Sequence, residues 1–405
     1  MRSDVCDDTI CDITAMEMTY VQSVPTGTVI AYFFIKIIVH IVKNLSSTII
    51  VTAAIFVFTM PSYKETIATS AIAVIAATSY IYLKQKQKTK SSNTFKIPID
   101  LLHGEYINEM KVAIQLALQA GSNMIDHLEN KGTEFGLGAE SKLGINTKHN
   151  DADFCTAVDL LNEEIITNGI KKEFPKHVII GEEDTGTGDV PLLTDDPTWI
   201  IDPVDGTTNF ASGSVYTCVS IGLCVNSTPV MGVVYSPKTN ELYLAMKGHG
   251  AYRNGIRIKS TDSKSNVKTL SNSVVCFEFG YARSEEGVEN MVNAVKRILI
   301  HGCRSTRSYG SGVLDLCYVA SGRLDVVYTG MAEEGWKPWD YSAAMVVVEE
   351  AGSIIRSLKD HCGVSDFDNQ HKVIPNSKFN IYSKSMICGV NASVVEECRK
   401  VVLGL

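Results

Sequence analysis

The chain lacks a paired-cysteine framework. Its eleven cysteines (positions 6, 11, 155, 218, 224, 276, 303, 317, 362, 388 and 398) are odd in number, contain no CxxC, and in part sit inside apolar runs, as Cys218 and Cys224 do. That argues against a disulfide scaffold and for buried, reduced thiols in a reducing compartment. No histidine stands in a metal-ligand spacing; His301, His361 and His371 are scattered and read as surface or loop residues. No basic surplus exists either. The net charge of −8 argues against a general nucleic-acid binder, which needs clustered Lys and Arg. No internal repeat is visible. Residues 1–28 form an acidic, polar tail with Asp4, Asp7, Asp8, Asp12 and Glu17, unlike the basic-then-apolar start of a secretory signal.

What the chain does have is unevenly spread. Residues 1–90 hold eight basic and six acidic side chains, so the acidic excess lies beyond them. Residues 29–83 contain three apolar segments. In the first, Lys36, His40 and Lys43 follow i, i+4, i+7 and share one helical face, which suits a helix lying in a membrane interface. The other two, about 45–62 and 66–83, are close to the minimum length that crosses a bilayer. Lys84, Lys86, Lys88 and Lys90 follow at once, a flank that stays cytosolic. The expectation is a membrane-anchored protein with a two-span hairpin, a basic linker over 84–97, and a cytosolic catalytic domain over 98–405. The sequons at Asn44, Asn226 and Asn391 are read as chance.

Beyond the linker, helical and strand patterns interleave. Apolar spacing predicts helices over Pro98–Asn130, Thr156–Phe174, Val288–Ile300, Gly312–Ser321, Tyr341–Ala351 and Ala392–Leu403. Short β-branched runs predict strands at His177–Gly181, Thr198–Ile201 and Leu324–Tyr328. Alternating runs fill Cys218–Tyr243, with turns at Asn226–Pro229 and Ser236–Asn240 and a further bend at Asn254-Gly255. The class is α/β.

Carboxylates collect at the ends of two of these strands. Glu182 follows one, and Asp202 and Asp205 follow the next, where Pro203 is expected to stop the ladder and turn both aspartates onto one rim. Three acidic groups together repel unless a cation sits among them, and hard oxygen donors suit Mg²⁺. Gly206-Thr207-Thr208-Asn209 then offers a turn whose free N–H groups would suit an anion if a helix begins there. Taken alone, that segment reads equally well as a structural turn.

Longer motifs decide the matter. Trp199-Ile-Ile-Asp-Pro-Val-Asp-Gly-Thr-Thr-Asn-Phe210 resembles the signature of the inositol monophosphatase family, part of a lithium-sensitive, magnesium-dependent phosphatase superfamily that includes fructose bisphosphatases. Gly181-Glu182-Glu183-Asp184 resembles its GEE motif, and Lys337-Pro338-Trp339-Asp340, with Glu350-Ala351-Gly352, its downstream signature. Asp153–Asp159 is similar to its early loop, with Lys148 eleven residues before Asp159. Gly248–Gly255 and Arg307–Gly310 fit as well, so the likeness runs from about residue 100 to 400.

The resemblance implies a layered αβαβα sandwich and a homodimer. It implies that Glu182, Asp202 and the Val204 carbonyl hold one Mg²⁺, that Asp202, Asp205 and Asp340 hold a second, and that Glu182 serves a further weak ion. Asp159 and Thr207 would orient and activate the attacking water, with no phosphoenzyme. Asp205, Gly206, Thr207, Gly310, Ser311, Glu333 and Asp340 would face the substrate, with Lys148 in the active loop and Glu334 as an alternative to Glu333. The chain departs from the pattern at Phe279–Ala282, where a serine is missing, and at Gly310-Ser311-Gly312. The expected reaction is hydrolysis of inositol monophosphate to myo-inositol and phosphate. The same chemistry on fructose 1,6-bisphosphate, NADP, histidinol phosphate or a nucleotide 3′-phosphate is the alternative, and an inactive membrane-tethered scaffold is the reading from another class.

Overall fold

The computed structural model describes residues 95–128, 146–150, 153–260, 268–332, 335–359 and 379–405, all within one compact unit, Phe95–Leu405. The expected membrane segments at 29–83 and most of the linker lie outside the described residues, as do Glu333 and Glu334. Among the described residues no helix is long and apolar enough to cross a membrane.

Two mixed sheets alternate with helices. The larger follows chain order: β3 (Val178–Gly181), β4 (Thr198–Asp205), β5 (Cys218–Val225), β6 (Thr228–Ser236), β7 (Glu241–Met246), β8 (Gly250–Arg253) and β9 (Ile256–Ile258). Only β3 and β4 run parallel. The smaller sheet has β10 (Val274–Glu278) between β11 (Ser305–Arg307) and β12 (Val326–Thr329), all parallel. Antiparallel β14 (Met386–Gly389) and β13 (Ile354–Arg356) complete it. A separate hairpin pairs β1 (Asn146–Asn150) with β2 (Asp153–Cys155).

After the short α1 (Ile99–Leu102), helices α2 (Ile107–Leu128) and α3 (Ala157–Glu173) cover the outer face of the seven-stranded sheet. Helices α7 (Gly312–Ala320) and α8 (Pro338–Glu350) lie between the sheets, and α6 (Glu285–His301) and α9 (Ala392–Leu403) cover the far side of the smaller one. Single turns α4 (Glu182–Thr185) and α5 (Thr207–Ser212) sit at the rim. The layering is the expected α/β sandwich. Its core divides accordingly: Trp199 and Ile201 pack outward under α2 and α3, while Ile200 packs inward toward α7 and α8. Alternation along one strand thus feeds two cores.

Two glycines bring α8 close to the sheet. Gly222 and Gly232 face each other across β5 and β6. A Cβ on either would lie 2.5 Å from the Ser342 hydroxyl or 2.1 Å from the Ala343 carbonyl oxygen. This approach sets the height at which α8 delivers Asp340.

Two expectations need correction. Strand β4 does not stop at Asp202-Pro203 but runs on to Asp205. Its pairing with β5 jumps from Asp202↔Ser220 to Asp205↔Cys218, and β3 has already ended opposite Ile201. A bulge therefore absorbs the proline's missing N–H where no neighbour requires it. Helix α8 begins at Pro338 rather than Tyr341, because proline is favoured in a first helical turn.

Candidate active site

Asp202, Asp205 and Asp340 each offer an oxygen within 4.8 Å of the others. In every case a backbone N–H fixes one oxygen. Asp202 Oδ1 accepts from Val204 N across the bulge at 3.0 Å. Asp205 Oδ2 accepts from Val313 N at 3.2 Å, from the Ser311 hydroxyl, and from the Cys218 thiol at 3.5 Å. Asp340 Oδ2 accepts from Lys337 N at 2.6 Å, capping α8. Among the described residues no donor reaches the second oxygen of any of the three. Three anchored carboxylates thus converge, each bringing one oxygen within 4.8 Å of the others and keeping one oxygen free of protein donors.

Burial pushes all three protons on more tightly. For Asp202 the neighbouring Glu182, Asp205 and Asp340 add to burial. Burial lifts Asp205 to about 6, against the hydrogen bonds from Ser311 and Cys218. Asp340 is raised by burial and then by Asp205. Such a set is stable at neutral pH only with positive charge among it. The donors are hard oxygens. The nearest sulfur, Cys218, is held protonated by burial and by Asp205, so the set fits Mg²⁺ rather than a thiophilic ion.

Glu182 is not part of the trio. Its carboxylate receives the Lys148 ammonium at 2.8 Å, and Glu183 receives the same ammonium at 3.0 Å. Burial opposes the Lys148 charge, but Glu182 and Glu183 outweigh it, and the net shift is upward. Lys148 thus joins the early loop to the GEE turn.

Asp159 opens α3 within a capping box. Its Oδ2 accepts from Thr156 N at 3.1 Å and from the Thr156 hydroxyl. Its Oδ1 faces the Thr207 hydroxyl at 3.2 Å, and Thr207 also reaches the Val204 carbonyl at 3.2 Å. One hydroxyl hydrogen serves two acceptors, so it can shift between them. Burial lifts Asp159 to about 7, against the Thr156 hydrogen bonds, with Glu183 and Glu182 adding to the rise.

Gly206 caps α5 with φ 82°. Ser311, expected at the substrate, is buried with its hydroxyl on Asp205. Gly310 is exposed, and its carbonyl accepts from Asn209 Nδ2 at 3.1 Å; that amide also reaches the carbonyls of Tyr309 and Tyr216. Phe279 and Tyr281 are exposed at the positions that lack the serine.

Several contributors were missed in the sequence. Glu163 receives the amides of Glu183 and Asp184, and Asn162 donates to the Pro203 carbonyl at 3.4 Å. Glu278 holds the loop before Ser311, accepting from Tyr309 N at 2.8 Å and Gly310 N at 2.9 Å. Spacing could have found Glu163, which stands four residues after Asp159 on one helix face. Nothing local marks Glu278.

Comparison with known proteins agrees with this geometry. Residues 108–398 match the model of the inositol monophosphatase family. Inositol monophosphatase 1 of Sus scrofa is 33% identical over 291 residues, covering 72% of this chain and 92% of that protein. Inositol monophosphatase 1 of Solanum lycopersicum is 43% identical over 227 residues, covering 55% of this chain and 78% of its own. Among solved structures, an IMPase of Thermotoga maritima superposes with a TM-score of 0.56 at 26% identity, covering 73% of this chain and 97% of that one.

Proposed function

The chain belongs to the inositol monophosphatase family of metal-dependent phosphatases, and from that premise we propose that it hydrolyses an inositol monophosphate to myo-inositol and phosphate with Mg²⁺. The observation that carries the reading is the trio of aspartates, each anchored by a backbone N–H and each bringing an oxygen within 4.8 Å of the others. Asp202, Asp205 and Asp340 would hold one ion, and Asp202, Glu182 and the Val204 carbonyl another. When bound, Mg²⁺ would neutralise the phosphate, acidify a water and stabilise the departing alkoxide.

The protein's own groups do the rest. Thr207 Oγ1 passes its hydrogen to Asp159 Oδ1 as it takes one from the attacking water. Water oxygen bonds to phosphorus, the ester P–O bond breaks, the alcohol oxygen takes a proton from solvent water, and Asp159 returns its own proton to solvent. A base near pH 7 is well matched to this task. The Gly206 and Thr207 amides would orient the phosphate. Positioning and charge neutralisation suffice for such a transfer, without a covalent enzyme intermediate.

The test is phosphate release by the full-length chain from inositol 1-phosphate, fructose 1,6-bisphosphate, NADP, histidinol phosphate and a nucleotide 3′-phosphate, with and without Mg²⁺ and Li⁺. Inositol 1-phosphate should be the preferred ester, turned over only with Mg²⁺ and inhibited by Li⁺. A stronger preference for another ester overturns the substrate, and no Mg²⁺-dependent turnover at all overturns the mechanism. The reading extends to a membrane tether through residues 29–83 with the catalytic domain in the cytosol. Release of the full-length chain from membranes by alkaline carbonate would count against it.

A further inference from the structure

Helix α3 sends a second carboxylate toward the site. Glu163 lies one turn beyond Asp159 and is 6% exposed. Its oxygens accept separately from Glu183 N at 2.8 Å and Asp184 N at 2.6 Å. These amides belong to α4, a four-residue turn whose N-cap, Gly181, provides no side-chain hydrogen bond. So short a helix does not hold itself in water, and its first N–H groups need acceptors. Glu163 supplies them from another element. The fit is close, since a Cβ on Gly181 would stand 2.5 Å from the Glu163 carboxyl group.

We infer that Glu163 is a positioning residue for the metal ligand Glu182: by tying the amides of Glu183 and Asp184 to α3, it fixes the Glu182 carboxylate relative to Asp159 on the same helix. The inference rests on the reading of Glu182 as a ligand. The geometry asks for a carboxylate, because here the two N–H groups point to separate oxygens, one each. A glutamine offers one oxygen and sets its NH₂ against the other amide. Asn162, adjacent on α3, extends the arrangement: it receives Asn123 at 3.1 Å and donates to the Pro203 carbonyl beside Asp202. One helix therefore touches Thr207, the β4 bulge and the GEE turn.

Glu350 provides a matched control. It too accepts two backbone N–H groups, Gly248 at 2.7 Å and Gly250 at 2.6 Å, but from the far end of α8. In the full-length chain, Mg²⁺ affinity is measured by calorimetry and by the Mg²⁺-induced rise in Tm, with kcat and KM taken at saturating Mg²⁺. E163Q should weaken Mg²⁺ binding about 10- to 100-fold, with kcat largely recovered at saturating metal. G181A, which displaces the same carboxylate, should shift affinity in the same direction. E350Q should lower Tm and leave affinity unchanged. Wild-type Mg²⁺ affinity in E163Q, whatever its Tm, overturns the inference; should E163Q fail to fold, G181A decides by the same outcomes. A wild type that binds no Mg²⁺ overturns the reading of the metal site instead.

Discussion

On the seven-stranded side of the site, Asp202 and Asp205 stand three residues apart in one strand, and Glu182 follows the strand beside it. Asp202 is anchored across its own bulge, Asp205 by Ser311 and Val313, and Glu182 by Lys148, and the two aspartates cannot neutralise each other. On the five-stranded side, the loop Ser308–Ser311 is held by Glu278, some thirty residues earlier, and Glu278 lies against buried Asp315 and Cys276. Glu278 and Asp315 form a second acidic pair. Until one acid keeps its proton, neither has a donor to offer, and both Asp315 oxygens are buried without another donor. Burial, followed by Glu278, pushes Asp315 well above the carboxylate range, and the neighbouring Glu278 is raised by burial as well. The contrast separates two uses of acidic residues: the aspartate trio anchors every carboxylate by a backbone N–H, and the other cluster anchors only Glu278 and leaves Asp315 without a donor among the described residues.

Removing Asp202, the proposed shared ligand, tests that contrast most severely. Asp202→Asn should cost at least about 10³-fold in kcat/KM, roughly 4 kcal/mol of transition-state stabilisation. The metal-free Tm should stay level or rise, because a buried charge among like charges disappears. A large fall in metal-free Tm would mean that Asp202 is structural. Asp159→Asn should cost about 10²- to 10⁴-fold in kcat, the usual worth of a general base, while Mg²⁺ affinity stays near wild type. Lost affinity in that variant would move Asp159 among the ligands.

Titration gives a smaller effect with a definite sign. Asp159 rises from 3.8 to about 7, and Glu163 from 4.5 to about 7, each mainly through burial. Both folded values exceed the unfolded ones, so the folded state binds the proton more tightly. The stabilisation is full below about pH 4 and is lost as pH rises to about 7, on the order of 3 kcal/mol per group. The metal-free Tm should fall between pH 4.5 and 7.5, and saturating Mg²⁺ should flatten the fall. A metal-free Tm that climbs over that range contradicts the assigned directions.

How far the sequence revealed the site follows the same division. Asp202, Asp205, Glu182 and Thr207 could be read because strand, bulge and turn place them within short stretches. The α/β class followed from alternating periodicities, and the layered sandwich from the family resemblance. Strand β4 was expected to end at Pro203, since a proline's cost depends on whether a neighbour needs its N–H, and that is known only once β3 is seen to stop. Glu278 could not be read, because its role depends on β10 lying beside β11 and on a loop distant in the chain. Ser311 was placed in the right loop, but its partner was not foreseen: whether the hydroxyl turns to substrate or to Asp205 is decided by α7 packing between the sheets.

Glu278→Gln is expected to give the smallest change and divides the two sides most finely. Glutamine keeps one oxygen for the Tyr309 and Gly310 amides, which share Oε1. Its NH₂ then stands where Glu278 Oε2 accepts from the Ser308 hydroxyl, which can reverse and act as acceptor. Asp315 loses the neighbouring acid that, after burial, raises its proton affinity. The loop should therefore loosen rather than collapse. If the five-stranded side only shapes the substrate, KM for the phosphate ester should rise about 10-fold or less, near 1 kcal/mol. Mg²⁺ affinity should hold and kcat change little. Should Mg²⁺ affinity fall with KM, the displacement has passed through Ser311 to Asp205. The two acidic clusters would then be one network, joined by a single hydroxyl.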